Sequence, residues 1–411
     1  MRSYTQVLDH IGLTKPFRTL LALFALAVAM ILWRLYAGLG ATTGLNDGYP
    51  WGIWITYDVV TGTALACGGY AVAILVYVMN KGQYHPLVRP AILTSALGYS
   101  LAGFSVILDL GRYWNVYRIV NIWNWNLNSV LLEVAVCIMA YVVVLWIELS
   151  PAFFERWKDS PHTRLRNFSR SITPILNKAL LWIIALGLLL PTMHQSSLGS
   201  LMLIAVQKLH KLWHTPMLPL LFLISCIGMG YSIVVFESIL SSRHFRRPVE
   251  KRMLASLSTA IVVVLFLYVA LRIADIVWRG RLNLILAFDR YSVLFLIEMA
   301  LFLIPAFMLL SKKMRHDSGR LFQAAMLIIL AGGLYRFSVF WVAFNPGPGW
   351  EYFPAVPEII VTLGLIAFEI IAYVLIVKQF PAIAGVYTPK QVDRATATSG
   401  RPQVATLGGK L

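Results

Sequence analysis

Among the ionisable residues within or beside the apolar stretches of this 411-residue chain, seven fall in or near the same outer third of the membrane: Asp58, Asp109, Glu133, His194, Arg272, Glu298 and Arg336. Charge in hydrocarbon is costly, so an ionisable residue at membrane depth is a functional candidate by default. Carboxylates can carry protons, an imidazole titrates near neutral pH, and arginines can hold an anion or steady a carboxylate. Grouped near one membrane surface, these residue types suit proton-coupled transfer. Glu133 has no cation within a turn of its own helix, which favours a proton carrier. His194 is followed by Gln195, Ser196 and Ser197, side chains that could share hydrogen bonds with it. Tyr99 precedes Asp109 by ten residues, and Arg112 follows it by three. Two acids stand apart: Glu237 near the opposite face and Glu369 at mid-membrane.

The elements that must position these residues are long apolar segments. They run over about 20–38, 53–79, 90–110, 127–149, 174–194, 216–240, 254–277, 290–310, 320–342 and 357–379. Each reaches or nearly reaches the ~20 residues a helix needs to cross a bilayer. None shows the period-2 alternation of a barrel strand. The chain is 59% hydrophobic and 13% charged. The expected fold is therefore all-α and integral to the membrane, with ten transmembrane helices.

The net charge of +17 would suit nucleic acid if it were spread as a patch, but it is divided by topology. Alternate connections beginning with the N-terminus hold 24 Lys and Arg, and the others hold 8. That bias places both termini in the cytoplasm and makes the basic residues topology signals and anionic-lipid contacts, with no nucleic-acid partner. The residues at 1–19 lack a short apolar core with a cleavage site, so the first segment reads as a retained anchor. Residues 1–380 form the membrane domain. Residues 381–411 are polar and rich in Thr, Pro and Gly, and read as a disordered cytoplasmic tail.

The outer connections, 44–54, 113–126 and 345–354, are aromatic and rich in Asn, Gly and Pro. Nine of the thirteen Trp lie in or beside the outer connections. An ordinary aromatic belt covers both faces, so the excess points to a protein docking on the outer side.

Depth follows from the helical rise. Glu133 lies about 9 Å and Glu298 about 12 Å below the outer ends of their helices at 1.5 Å per residue. His194 is expected to close the fifth helix just after Pro191. Glu298 and Arg336 could form a buried pair, and Arg272 and Asp109 could instead snorkel to headgroups. A weak internal repeat relates Asp109 and Arg112 to Asp275 and Arg279, and NSVLLE (128–133) to YSVLFLIE (291–298). It suggests two four-helix bundles, helices 2–5 and 6–9, with helices 1 and 10 added. The cysteines Cys67, Cys137 and Cys226 have no CxxC spacing and read as small apolar packing residues. No iron–sulfur cluster or metal is expected in this chain. A b-type haem generally needs two intramembrane histidines and only His194 qualifies, so the expectation is no haem, with electrons arriving from another protein.

The strings NDGYPWGIWITYDV (46–59), CGGYAVA (67–73), GQYHPLVRPAIL (82–93), LGYSLAGFSVILDLGRYWN (97–115), NSVLLEVAVC (128–137), LPTMHQSSLGSLM (190–202) and AFNPGPGWEYFP (343–354) resemble the NrfD/PsrC-like quinone-interacting membrane subunits. Within that family they are most similar to the membrane subunits of hydrogenase-2 type nickel–iron hydrogenases. The likeness covers nearly all of residues 20–380. It implies a haem-free subunit of the bacterial inner membrane beneath a ferredoxin-like iron–sulfur subunit. The large and small nickel–iron hydrogenase subunits would lie on the periplasmic face. Electrons would pass to a quinone, menaquinone in this type, with proton uptake. By motif, Tyr99, Glu133 and His194 match positions implicated in quinone and proton handling, and Glu237 matches a further family acid. Asp58 and Asp109 would relay protons, and Arg112 would hold Asp109 ionised or grip the partner. Competing readings are another oxidoreductase such as a polysulfide reductase, a secondary transporter, and a mere anchor.

Overall fold

Apolar runs long enough to cross a bilayer must close every backbone hydrogen bond internally, and this chain does so with helices. The computed structural model describes residues 14–158, 160–244, 248–380 and 382. The expected tail at 381–411 falls, but for 382, outside the described residues. Among the described residues ten helices are long and apolar enough to span: α1 (Lys15–Ala37), α2 (Trp54–Val78), α3 (Gly82–Asp109), α4 (Val130–Trp157), α5 (Thr163–Ile204), α6 (Leu218–His244), α7 (Lys251–Trp278), α8 (Arg290–Leu310), α9 (Ser318–Val342) and α10 (Val356–Gln379). Among the described residues there is no strand, only an isolated bridge between Leu209 and Phe344. The protein is a multi-pass integral membrane protein.

Small residues set the closest packing. α1 lies against α10 where Gly364 meets Ala27, and a side chain on Gly364 would collide with it. α2 packs on α3, α6 and α9, α4 on α3 and α5, and α6 on α5, α7 and α9. α8 fills the gap between α7 and α9. α2 and α6 are the most enclosed helices, which fits their apolar character all round.

The structure corrects the expectation for α5. It does not stop at Pro191 but continues as α-helix to Leu201 and in a 3-10 turn to Ile204. Proline removes one N–H donor, and neighbouring hydroxyls share the remaining carbonyls. Thr192, Ser196, Ser197 and Ser200 each bond the carbonyl four residues back, a known way to tolerate Pro at membrane depth. α2 is less regular than expected. Trp54–Thr61 and Ile74–Val78 are π-helical, and a turn at Ala66–Cys67 divides the helix. α9 also ends in a π segment, Ser338–Val342. Such widened turns concentrate at functional sites. At the break in α2, Gly230 of α6 is obligatory, since a Cβ there would lie 2.6 Å from the Cys67 carbonyl oxygen.

The connections at 43–53, 205–217 and 340–355 knit into one aromatic end. Tyr49 Oη donates to Phe344 O at 3.0 Å, Trp51 Nε1 to Phe340 O at 2.9 Å and Asn46 Nδ2 to Glu351 O at 2.8 Å. Glu358 pins this layer from the start of α10. Its carboxylate accepts Gly44 N (2.8 Å), Ala355 N (2.8 Å) and Tyr352 Oη (2.7 Å).

Candidate functional site

α2, α3, α4, α5, α6 and α9 converge on a polar chamber built around His194. The imidazole and Tyr99 are both fully buried. Tyr99 Oη lies 3.5 Å from His194 Nδ1 and 3.4 Å from Cys67 Sγ. Tyr141 of α4 packs edge-on against Tyr99, ring centroids 4.6 Å apart. His194 precedes the end of α5 by ten residues and Tyr99 precedes the end of α3 by ten. At 1.5 Å per residue both lie about 15 Å from the aromatic end. This is about mid-membrane for a ~30 Å core, deeper than expected, because α5 continues past Pro191.

Arg336 orders the chamber. It is fully buried and its guanidinium donates to Val60 O (3.0 Å), Gly332 O (3.3 Å), Phe222 O (3.3 Å), Ser225 Oγ (3.2 Å) and Gln195 Oε1 (3.3 Å). No carboxylate is among these acceptors, so the positive charge is held by dipoles, by Met229 Sδ at 3.2 Å and by the Phe222 ring, whose centroid lies 5.1 Å away. An arginine can only donate, so its bond identifies the Gln195 oxygen and directs the amide nitrogen the other way. That nitrogen donates to Thr63 Oγ1 (3.1 Å) and faces His194 Nδ1 at 3.4 Å. Nδ1 is therefore the acceptor, and in neutral imidazole the proton sits on Nε2. His194 Nε2 is buried with no protein partner. The chamber thus offers one unspent N–H donor beside a buried cation, an arrangement that stabilises negative charge developing on a ligand oxygen.

The other sequence-predicted residues lie elsewhere. Glu133, in the first turn of α4, is exposed on the flank of the chain. Burial was expected, but the sequence did not reveal which side of α4 it occupies. Asp58 is buried in the first π segment of α2 and accepts from Thr362 Oγ1 of α10 at 3.1 Å. Asp109 ends α3 as expected, and its Oδ1 is buried without a partner. Arg112 is exposed, and among the described residues no ion pair joins it to Asp109. Arg34 of α1, and not Arg112, is the arginine bonded at the end of α3, where it donates to Leu108 O (2.7 Å) and Leu110 O (2.5 Å). Glu237 accepts from Thr94 Oγ1 at 2.9 Å near the basic end. Glu298 and Arg336 do not pair: Glu298 Oε2 accepts Trp213 Nε1 at 2.9 Å. Arg272 is fully buried rather than snorkelling. Asp275 pairs with Arg279, so the repeat-related positions at 109 and 112 are not locally equivalent.

Sequence reading passed over Arg34, Gln195 as the partner of Arg336, and Cys67 as more than packing. Arg34 carried a signal, being the one charged residue within the first apolar segment. The aromatic end holds a further histidine, His210, stacked on Tyr291 at 4.3 Å. Burial pushes its pKa down, helped by Arg281, Arg290 and Lys211 and opposed by Asp289. Asp289 caps α8 by accepting Ser292 N at 2.7 Å, and that bond holds its carboxyl below the usual range.

Comparison with known proteins adds three findings. The family described as "Polysulphide reductase, NrfD" matches residues 41–345. An Escherichia coli (strain K12) protein named "Probable Ni/Fe-hydrogenase 2 b-type cytochrome subunit" is 44% identical over 376 residues, covering 90% of this chain and 93% of that one. The "Menaquinone reductase, integral membrane subunit" of Nitratidesulfovibrio vulgaris is 26% identical, covering 85% and 88%.

The first relative's name corrects the expectation of a haem-free chain, since a b-type cytochrome subunit points to haem. His194, buried with a free Nε2, is the described residue able to serve as an axial ligand. A facing second histidine is not in place among the described residues. His210 stacks on Tyr291 at the aromatic end, and His214 Nε2 contacts Leu203 O there at 3.2 Å. A bis-histidine haem therefore does not fit the described residues.

Proposed function

We propose, from the premise that this chain belongs to the NrfD family, that it is the quinone-reactive membrane subunit of a periplasm-facing nickel–iron hydrogenase complex. The observation that carries this reading is the unspent His194 Nε2–H beside the carboxylate-free charge of Arg336. Two electrons arrive from an iron–sulfur subunit docked on the aromatic end, itself bound to the large and small hydrogenase subunits. A quinone, menaquinone by kinship with the N. vulgaris reductase, places a carbonyl oxygen against His194. Each electron added to the ring puts charge on that oxygen. The fixed donor and the Arg336 field stabilise the charge without reorganising, because both are already oriented. Two protons complete the quinol. Glu133 at the flank of α4, with Asp58 and Asp109, supplies them from the aromatic side, and Glu237 stands at the basic side. Tyr99 holds the imidazole from the Nδ1 side. The chain sits in the bacterial inner membrane with both termini in the cytoplasm, as the charge bias directs.

His194 and Tyr99 are closed off in this conformation, so a head group enters when the wall moves. The break in α2 at Ala66–Cys67 borders the chamber and supplies that freedom. The test is hydrogen-dependent reduction of a menaquinone analogue in membranes carrying His194→Ala or Glu133→Gln, with assembly of the complex verified. Loss of turnover in the His194 variant at wild-type assembly supports the reading. Full turnover in that variant rejects the site, and full turnover in the Glu133 variant removes Glu133 from the proton route.

A further inference from the structure

A second polar cluster lies on the other side of α9. Arg272 and Tyr268 of α7, Glu298 of α8, and Tyr335 and Ser338 of α9 are all fully buried. The Glu298 carboxylate has one firm partner, Trp213 Nε1. Its other oxygen, all three Arg272 nitrogens, both tyrosine hydroxyls and the Ser338 hydroxyl lack any hydrogen-bond partner. Arg272 is lodged over the rings of Phe295 and Tyr335, 5.3 and 5.8 Å from their centroids. Among the described residues no ion pair joins it to Glu298.

Buried polar groups are nearly always satisfied, and leaving one dry costs free energy comparable to losing a hydrogen bond. Here seven such atoms belong to five neighbouring side chains, two of them charged. The set mixes donors with an acceptor. A bound anion would meet the Glu298 carboxylate, a cation would meet Arg272, and an apolar molecule would satisfy none of them. Water both donates and accepts, and a buried water typically makes about three hydrogen bonds.

We propose that Arg272, Glu298, Tyr268, Tyr335 and Ser338 line a water-occupied chamber in which Glu298 takes up and releases a proton through those waters. The step is protonation of a carboxylate to a carboxylic acid, raising the net charge of the cluster by one while Arg272 stays charged. The groups facing Glu298 are Arg272 and Tyr268 from α7, Tyr335 and Ser338 from α9, and Trp213 from the connection before α6. Arg336 on α9 and Asp275 on α7 are charged residues of the same helices. α9 is the wall between the two chambers: Tyr335 belongs to this one and the next residue, Arg336, to the His194 chamber. The inference rests on α7, α8 and α9 and stands whatever the fate of the quinone reading.

Infrared difference titration of the full-length chain in nanodiscs tests it. A carboxylic acid C=O band should appear as pH falls and be absent from Glu298→Gln. In Arg272→Gln, which removes the cation that favours the carboxylate, proton affinity at this band should rise at least tenfold. A titration unchanged by Glu298→Gln overturns the proposal. If the variants do not fold, a wild-type map resolving ordered water decides. Water between the Arg272 guanidinium and Glu298 supports the chamber, and a dry gap or direct pairing of the two overturns it.

Discussion

At His194 the orientation of a neighbouring amide decides the chemistry. Arg336 fixes Gln195, Gln195 presents its N–H₂ to Nδ1, and the imidazole proton is left on Nε2. If this donor binds the developing oxyanion, His194→Ala should lower quinone reduction by about 10²–10³-fold, as loss of a single oxyanion donor does. Gln195→Glu should also lower turnover in the same assay, by pairing with Arg336 and cancelling its charge. That His194 stands at membrane depth was legible in the sequence because an ionisable group is rare there, whereas Tyr99 was singled out by the family resemblance and not by its own pattern. Glu133 was equally visible, but its side of α4 was not, since apolar residues surround that helix and give no polar face to read. At the aromatic end, His210 has a folded-state pKa below its unfolded value near 6.5. The folded state therefore prefers neutral imidazole. Its contribution is complete above that value and is lost as pH falls below it toward the folded pKa. Asp289→Asn removes a charge that props His210 up, so thermal melts below pH 6.5 should fall more steeply with acid than in the wild type.

Among the elements, α2 and α5 depart most from simple expectation, and both departures build the site. Pro191 reads as a helix end because it lacks an N–H, but α5 runs on past it, with Thr192, Ser196 and Ser197 hydroxyls bonded to the Leu188, Thr192 and Met193 carbonyls, and carries His194 to mid-membrane. The π turns of α2 had no sequence signal beyond a cluster of Gly and Thr. Gly230→Ala should push α6 from the Cys67 carbonyl, disturb the α2 break and reduce quinone turnover without loss of the assembled chain. Gel-filtration yield and activity, measured together, check this. Tyr352→Phe removes a hydroxyl that joins Glu358 to Ile53 N. It should cost about 1–3 kcal/mol, the penalty for leaving such buried groups unmet, and appear as a lower melting temperature. That pin was illegible because Ile53 and Glu358 are some three hundred residues apart in sequence.

Along the whole chain, Lys and Arg favour one set of connections, 24 against 8, and nine of the thirteen Trp lie in or beside the other set. The ten segments were legible from length and hydropathy. The aromatic excess pointed to a docked partner, and its exposed members include Trp123 at 89%, Trp114 at 60% and Tyr117 at 60%. Trp123→Asp should leave the chain folded and reduce recovery of the iron–sulfur subunit in a pull-down. What remained hidden was the junction of α2, α5, α6 and α9 around Arg336, because it joins distant segments through carbonyl oxygens that no side-chain pattern announces. The central claim is that this junction receives a quinone carbonyl at His194 Nε2. A structure of the assembled complex with a short-chain menaquinone analogue tests it most directly. The account predicts a ring oxygen within hydrogen-bonding distance of Nε2, and a ring bound elsewhere with Nε2 still unpartnered would contradict it.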